Sequence, residues 1–232
     1  MLFIRAGITT INMELQATAV LASVNANRTK KYSSGMRIWH WLNALVIAGS
    51  LLTVLVNSTV LKPWTNAGLI ADKLGENGVK ISEEQAKPVA FALSDKVWAL
   101  HTYLGYALAA LFVLRILLEF FEVADKKLIR KIRAAKAAFQ LRQENRVASR
   151  NEMLVKTSYA LFYVLLLVMV VTGLALAFRD DIAALKNMHF LRDIHEFTMY
   201  LILGFIFIHL AGVVLGERKG HKGVVSDMIN GG

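Results

Sequence analysis

Four stretches of the chain lack charged side chains and are almost continuously apolar: 38–61, 97–114, 157–178 and 197–216. Each is close to the about 17–25 residues that cross a hydrocarbon core as a helix. None alternates with period two, so the pattern predicts helices and no sheet. The expected fold is an all-α integral membrane protein, a four-transmembrane-helix bundle. The intervening segment 59–96 holds both prolines, Pro63 and Pro88, and a turn signal at Gly75-Glu76-Asn77-Gly78, and reads as a loop that packs on a partner. In 125–146, Leu128, Ile132, Ala135 and Phe139 recur at helical spacing under a basic face. That pattern suits an amphipathic helix at the headgroups or a solvated hairpin extending spans two and three. Residues 1–35 mix apolar and polar positions without the continuous core of a signal peptide. The expected organisation is an extension over 1–35, a membrane domain over 36–218 and a tail over 219–232.

Charge gives the spans a direction. Residues 1–37 carry five basic side chains against Glu14, 122–156 carry ten against four, and the tail from Glu217 is net +1. Segments 59–96 and 179–193 are balanced, with five and three of each sign. Basic flanks stay cytoplasmic, so both termini and the middle connection are expected inside and the balanced segments outside. The net charge of +10 therefore points to topology and excludes a nucleic-acid binder, since the basic residues sit beside spans. A 56% hydrophobic composition and a mean hydropathy of +0.47 agree with a lipid-embedded chain. There are no cysteines, which removes disulfides, thiolate-held iron–sulfur clusters and covalent haem attachment together.

Candidate chemistry then rests on histidine. His195 and His209 lie fourteen residues apart in span four, which on a helix is about 21 Å of rise and within about 40° of one face. With the predicted direction, His195 is at the outer end and His209 toward the inner end. His101 opens span two from outside and His40 opens span one from inside. Depth thus pairs His101 with His195 and His40 with His209, and each pair suits one haem clamped between two helices of a bundle. A single histidine in a span reads equally as an interhelical hydrogen bond, but four at matching depths favour ligation. His189 and His221 fall in a loop and the tail and read as solvated. Arg115, fourteen residues past His101, shares its face at the inner depth. It suits a haem propionate, or equally a snorkelling cation paired with Glu119 one turn on. Gly49, Gly105, Gly173, Gly204 and Gly212 allow close approach of a porphyrin or a helix, and helix packing suffices to explain them. Glu196, beside an outer ligand, reads as an interfacial carboxylate with Arg192 available as its partner.

Two motifs carry a family resemblance. Residues 37–42, R-I-W-H-W-L, resemble the R-x-x-H-W signature of the b-type cytochrome subunit of nickel–iron hydrogenases, within the bacterial cytochrome b561-like proteins. Span four resembles that family more closely, through Arg192, His195, Phe197, Tyr200, Phe205 and His209. Thr53-Val54 stands where Thr-Gly is frequent, Glu196 where a basic residue is common and Tyr200 where tryptophan is, departures that bear on the partner. The resemblance implies two non-covalent, bis-histidine b-type haems, a bacterial inner-membrane location and electron transfer from a periplasmic oxidoreductase subunit or electron carrier. Quinone is the expected acceptor and lipid the surrounding partner. Relatives that oxidise superoxide directly offer an alternative. From another class, a non-haem transporter or metal- or proton-conducting protein would also place ionisable groups in spans, although unbroken helices without inverted repeats argue against it.

Overall fold

The computed structural model describes residues 33–121, 146–218 and 223–231. The expected amphipathic segment at 125–146, nearly all of the extension 1–35, and His221 lie outside them. Among the described residues six α-helices follow in order: α1 Ser34–Thr59, α2 Pro63–Glu76, α3 Glu83–Phe121, α4 Arg146–Ala177, α5 Phe190–Arg218 and α6 Val224–Asn230, with a 3-10 turn at Ala183–Leu185 before α5. There is no strand among the described residues. Four helices, α1, α3, α4 and α5, are long and apolar enough to cross a membrane, as the charge-free stretches predict.

Residues 39–209 form one compact unit. Within it α1 and α3 are clipped together at two widely separated points. The Trp39 indole donates to the Leu111 carbonyl at 2.8 Å, and at the far end Ser94 Oγ donates to Asn57 Oδ1 at 3.3 Å. The two clips are 18 residues apart along α1 and 17 along α3, about 26 Å of helix, so they brace the pair over most of a hydrocarbon core of about 30 Å. The α4–α5 pair has an equally constant antiparallel register: Thr172 meets His195 near one end and Phe162 stacks on Phe205 near the other. Between α3 and α4, Arg115 bonds Tyr163 and Tyr106 stacks on Phe178. The second unit joins the described parts of both chain ends, where Arg37 Nη1 donates to the Ile229 carbonyl and Glu217 accepts from the Val225 amide.

The segment predicted as a loop is instead a helical hairpin. At 39 residues α3 is about 58 Å long, nearly twice the hydrocarbon thickness, and its surplus is the charged start that includes Glu83, Glu84, Lys87, Asp95 and Lys96. Against this start α2 folds back, burying Ala67, Ala86 and Ala90 with Ile70, Ala71 and Ile81 around them. Trp64 meets Phe91 edge to face at 5.5 Å, under the Lys87 ammonium. The residues that suggest a loop are the hairpin's stops and starts. Pro63 sits at the first helical position, where its missing N–H costs nothing. Gly78, at φ +85°, makes the left-handed turn after α2. Ser82 and Gln85 exchange backbone-to-side-chain bonds in a capping box that starts α3. Pro88 falls in the second turn of α3, early enough for the helix to lose one backbone bond and continue.

Candidate haem-ligating site

All four span histidines come together in the predicted pairs. The ring centroids of His101 and His195 are 6.3 Å apart with their planes 83° to each other, and those of His40 and His209 are 6.4 Å apart at 57°. A metal–imidazole bond is about 2.0–2.1 Å; adding about 1 Å from each nitrogen to its ring centre places two imidazoles on one ion about 6 Å apart. Both pairs have that separation. Among the described residues no group of three or more histidine or carboxylate side chains could hold a metal. Each site thus offers two protein ligands, which suits an ion that brings its other donors with it, as haem iron does in its macrocycle.

The hydrogen bonds behind the His101–His195 pair fix which nitrogen is available. Thr53 Oγ1 donates to the Ser50 carbonyl at 2.6 Å and lies 2.8 Å from His101 Nδ1; the Ser50 carbonyl is itself 3.3 Å from that nitrogen. Thr172 Oγ1 donates to the Val168 carbonyl at 2.7 Å and lies 3.0 Å from His195 Nδ1. A hydroxyl has one hydrogen, and in both threonines a helix carbonyl takes it. Each hydroxyl oxygen therefore accepts from Nδ1–H, and the lone pair of each ring is left on Nε2. Two imidazoles so fixed offer two lone pairs and no proton between them, the arrangement that a cation between them satisfies. Thr53 and Thr172 are the residues that sequence reasoning did not single out as supports. The visible signal was a hydroxyl at the same depth as each histidine on the neighbouring span. Gly173, next to Thr172, gives His195 its room, since a Cβ there would stand 3.1 Å from the ring's Cε1.

The His40–His209 level is built differently. Among the described residues the buried His40 Nδ1 meets no hydrogen-bond partner, and one turn on Asn43 Oδ1, in a residue only 3% exposed, meets none either. The rings are held by aromatics: His40 edge-on to Trp41 at 5.3 Å, His209 parallel to Phe205 at 6.1 Å, and Phe205 on Phe162 at 4.8 Å. Arg115 lies fourteen residues past His101, as His209 lies fourteen past His195, and is buried at 6% exposure. Its Nη2 meets Glu119 Oε2 at 2.7 Å and its Nε donates to the Tyr163 hydroxyl at 2.9 Å, with the Trp39 ring 6.0 Å away. The pairing with Glu119 is thus formed in the protein itself. Arg115→Leu removes one partner of a buried pair and is expected to cost about 3 kcal/mol of stability. A lowered thermal midpoint in detergent checks this, with Arg115→Lys, which keeps the charge but loses the fork, falling between.

The remaining candidates separate from the site. His189 lies in the loop before α5, 3.2 Å from Arg179 Nη2. Glu196 is exposed and forms no ion pair with Arg192. Helix packing accounts for Gly49, which faces Leu104, but not for Gly105, Gly204 or Gly212, where an added Cβ meets no atom within 4 Å. Comparison with curated proteins and with solved structures finds no match. The model of one family does match, over residues 31–231, and it covers all four crossing helices and both histidine pairs. The chain therefore belongs to the prokaryotic cytochrome b561 family.

Proposed function

We propose that this chain is a di-haem b-type cytochrome of the bacterial inner membrane that carries electrons from a periplasmic oxidoreductase subunit or electron carrier to the quinone pool. Membership of the b561 family implies b-type haem and electron transfer in a membrane. The observation that carries the finer reading is that α5 supplies one histidine to each of two facing pairs, His101–His195 and His40–His209. When bound, haem supplies one-electron ferric–ferrous chemistry. The protein's part is to hold and orient it. A haem at one level would be held by His101 and His195, which Thr53 and Thr172 position. A haem at the other would be held by His40 and His209, with Arg115, itself paired with Glu119, within reach of a propionate. With two imidazoles given to each iron, electron transfer would be favoured over oxygen chemistry.

The distribution of lysine and arginine supports an orientation with the balanced segments 59–96 and 179–193 and the His101–His195 level outside, and both termini inside. The α2–α3 hairpin then stands on the donor's side. The domain runs over 36–218, with 1–35 and 219–232 as cytoplasmic extensions. A reduced b-type absorption spectrum with about two haems per chain by pyridine haemochrome is the expected result. Protein purified from haem-replete membranes without a Soret band would overturn the reading.

A further inference from the structure

We propose that the hydroxyls of Thr53 and Thr172 set the order of the two redox potentials, holding the His101–His195 centre below the His40–His209 centre. The inference rests on the two-haem reading and concerns this chain's own residues around it. Both threonines have spent their hydrogens on helix carbonyls, Thr53 on Ser50 and Thr172 on Val168, so each accepts from a ligand's Nδ1–H. An imidazole that donates from Nδ1 is a more basic ligand at Nε2. A more basic ligand favours the ferric over the ferrous state and lowers the potential, second-shell hydrogen bonding being one of the protein's levers on haem.

At the other centre no hydrogen-bonding group among the described residues reaches the buried Nδ1 of His40. Without a protein acceptor like Thr53 or Thr172, that ring gains less basicity, so oxidation is less favoured there. Arg115 stands at that level as well, and the Glu119 carboxylate paired with it offsets part of its charge. The step this arrangement drives balances without a proton. One electron leaves the first iron, ferrous to ferric, and the same electron reduces the second, ferric to ferrous, while His101 and His195 keep their Nδ1 hydrogens. Thr53 and Thr172 are positioning residues, acting through the histidines.

The test is a redox titration of the purified full chain with haem bound, followed by optical and electron paramagnetic resonance spectra. The 83° between the His101 and His195 rings gives that centre the more anisotropic low-spin signal, which distinguishes it from the pair at 57°. In the unaltered protein the His101–His195 centre is expected to have the lower midpoint. Thr53→Val and Thr172→Val should each raise it, by up to about tenfold in the reduction equilibrium, or about 59 mV for one electron, without moving the other centre; Thr53→Val should have the smaller effect, because the Ser50 carbonyl remains 3.3 Å from His101 Nδ1. Thr53→Ser and Thr172→Ser, which restore the hydroxyl, should return it toward the starting value. The proposal is overturned if both valine variants keep two haems with unmoved potentials, or if the more anisotropic centre is the higher in the unaltered chain. That second comparison decides the matter even where a valine variant loses its haem. An unaltered chain with fewer than two haems overturns the two-haem reading itself, a result distinct from two haems that ignore the threonines.

Discussion

Replacing His195 with alanine is expected to lower the haem content from about two per chain to about one, and His209→Ala to do the same at the other level. On the two-haem reading, each substitution deletes one histidine of a pair that has no third metal-binding side chain beside it among the described residues. Loss of a residue that merely orients a ligand typically costs about 10–100-fold in affinity, and loss of the ligand itself should cost more. The two effects separate because the supports of the two levels are separate. With His195 gone, α5 is still held at the other level by Phe205 on Phe162 and by His209 beside His40. With His209 gone, Thr172 still fixes His195 opposite His101. The measurement is pyridine haemochrome together with the reduced spectrum, in which each variant should retain a different component. Full occupancy of both haems in either variant would show that the pairing is wrong.

The second large effect is expected from a residue with no side chain. A Cβ at position 173 would lie 3.1 Å from His195 Cε1, closer than ordinary contact, while Thr172 holds the same ring by its Nδ1 at 3.0 Å. A ring that retreats from the new carbon stretches that bond. Gly173→Ala asks for a shift of a few tenths of an ångström and should leave a weakened centre at the His101–His195 level. Gly173→Leu drives a branched side chain into the space the ring occupies, and should remove that haem while sparing the one at His40–His209. Retention of both haems in Gly173→Leu would mean that the close approach of α4 to this ligand has no part in holding it.

The sequence made the four crossings legible because lipid demands long uncharged stretches, and it made the facing histidine pairs legible because charge placement orders the spans by depth. The helical hairpin was hidden by the same reasoning. Pro63, Pro88 and the Gly75–Gly78 run argue for a loop when only their helix-breaking tendency is counted. In the structure Pro63 starts a helix, Gly78 ends one and Pro88 falls within two turns of a start. The fully buried centre of the hairpin is three alanines, and alanine carries no periodic signal strong enough to be read. Thr53 and Thr172 were obscure for another reason. A threonine in a span ordinarily satisfies itself by bonding the carbonyl a turn back. Both do so here, and only the neighbouring helix shows that their lone pairs have a second use. The Thr-Gly dipeptide at 172–173 joins the two supports of His195 in adjacent positions, one by a hydroxyl and one by the lack of a side chain.

Because α5 carries a histidine to both levels, the thirteen residues between them act as a gauge. Exchanging one of the apolar residues among them for another changes the bulk of a side chain at one height and leaves the spacing alone. Adding or removing a single residue rotates everything beyond it by about 100° and shifts it by about 1.5 Å, which turns one histidine away from its partner whatever the new residue is. Between 195 and 209 the chain is thus far freer to drift in composition than in length.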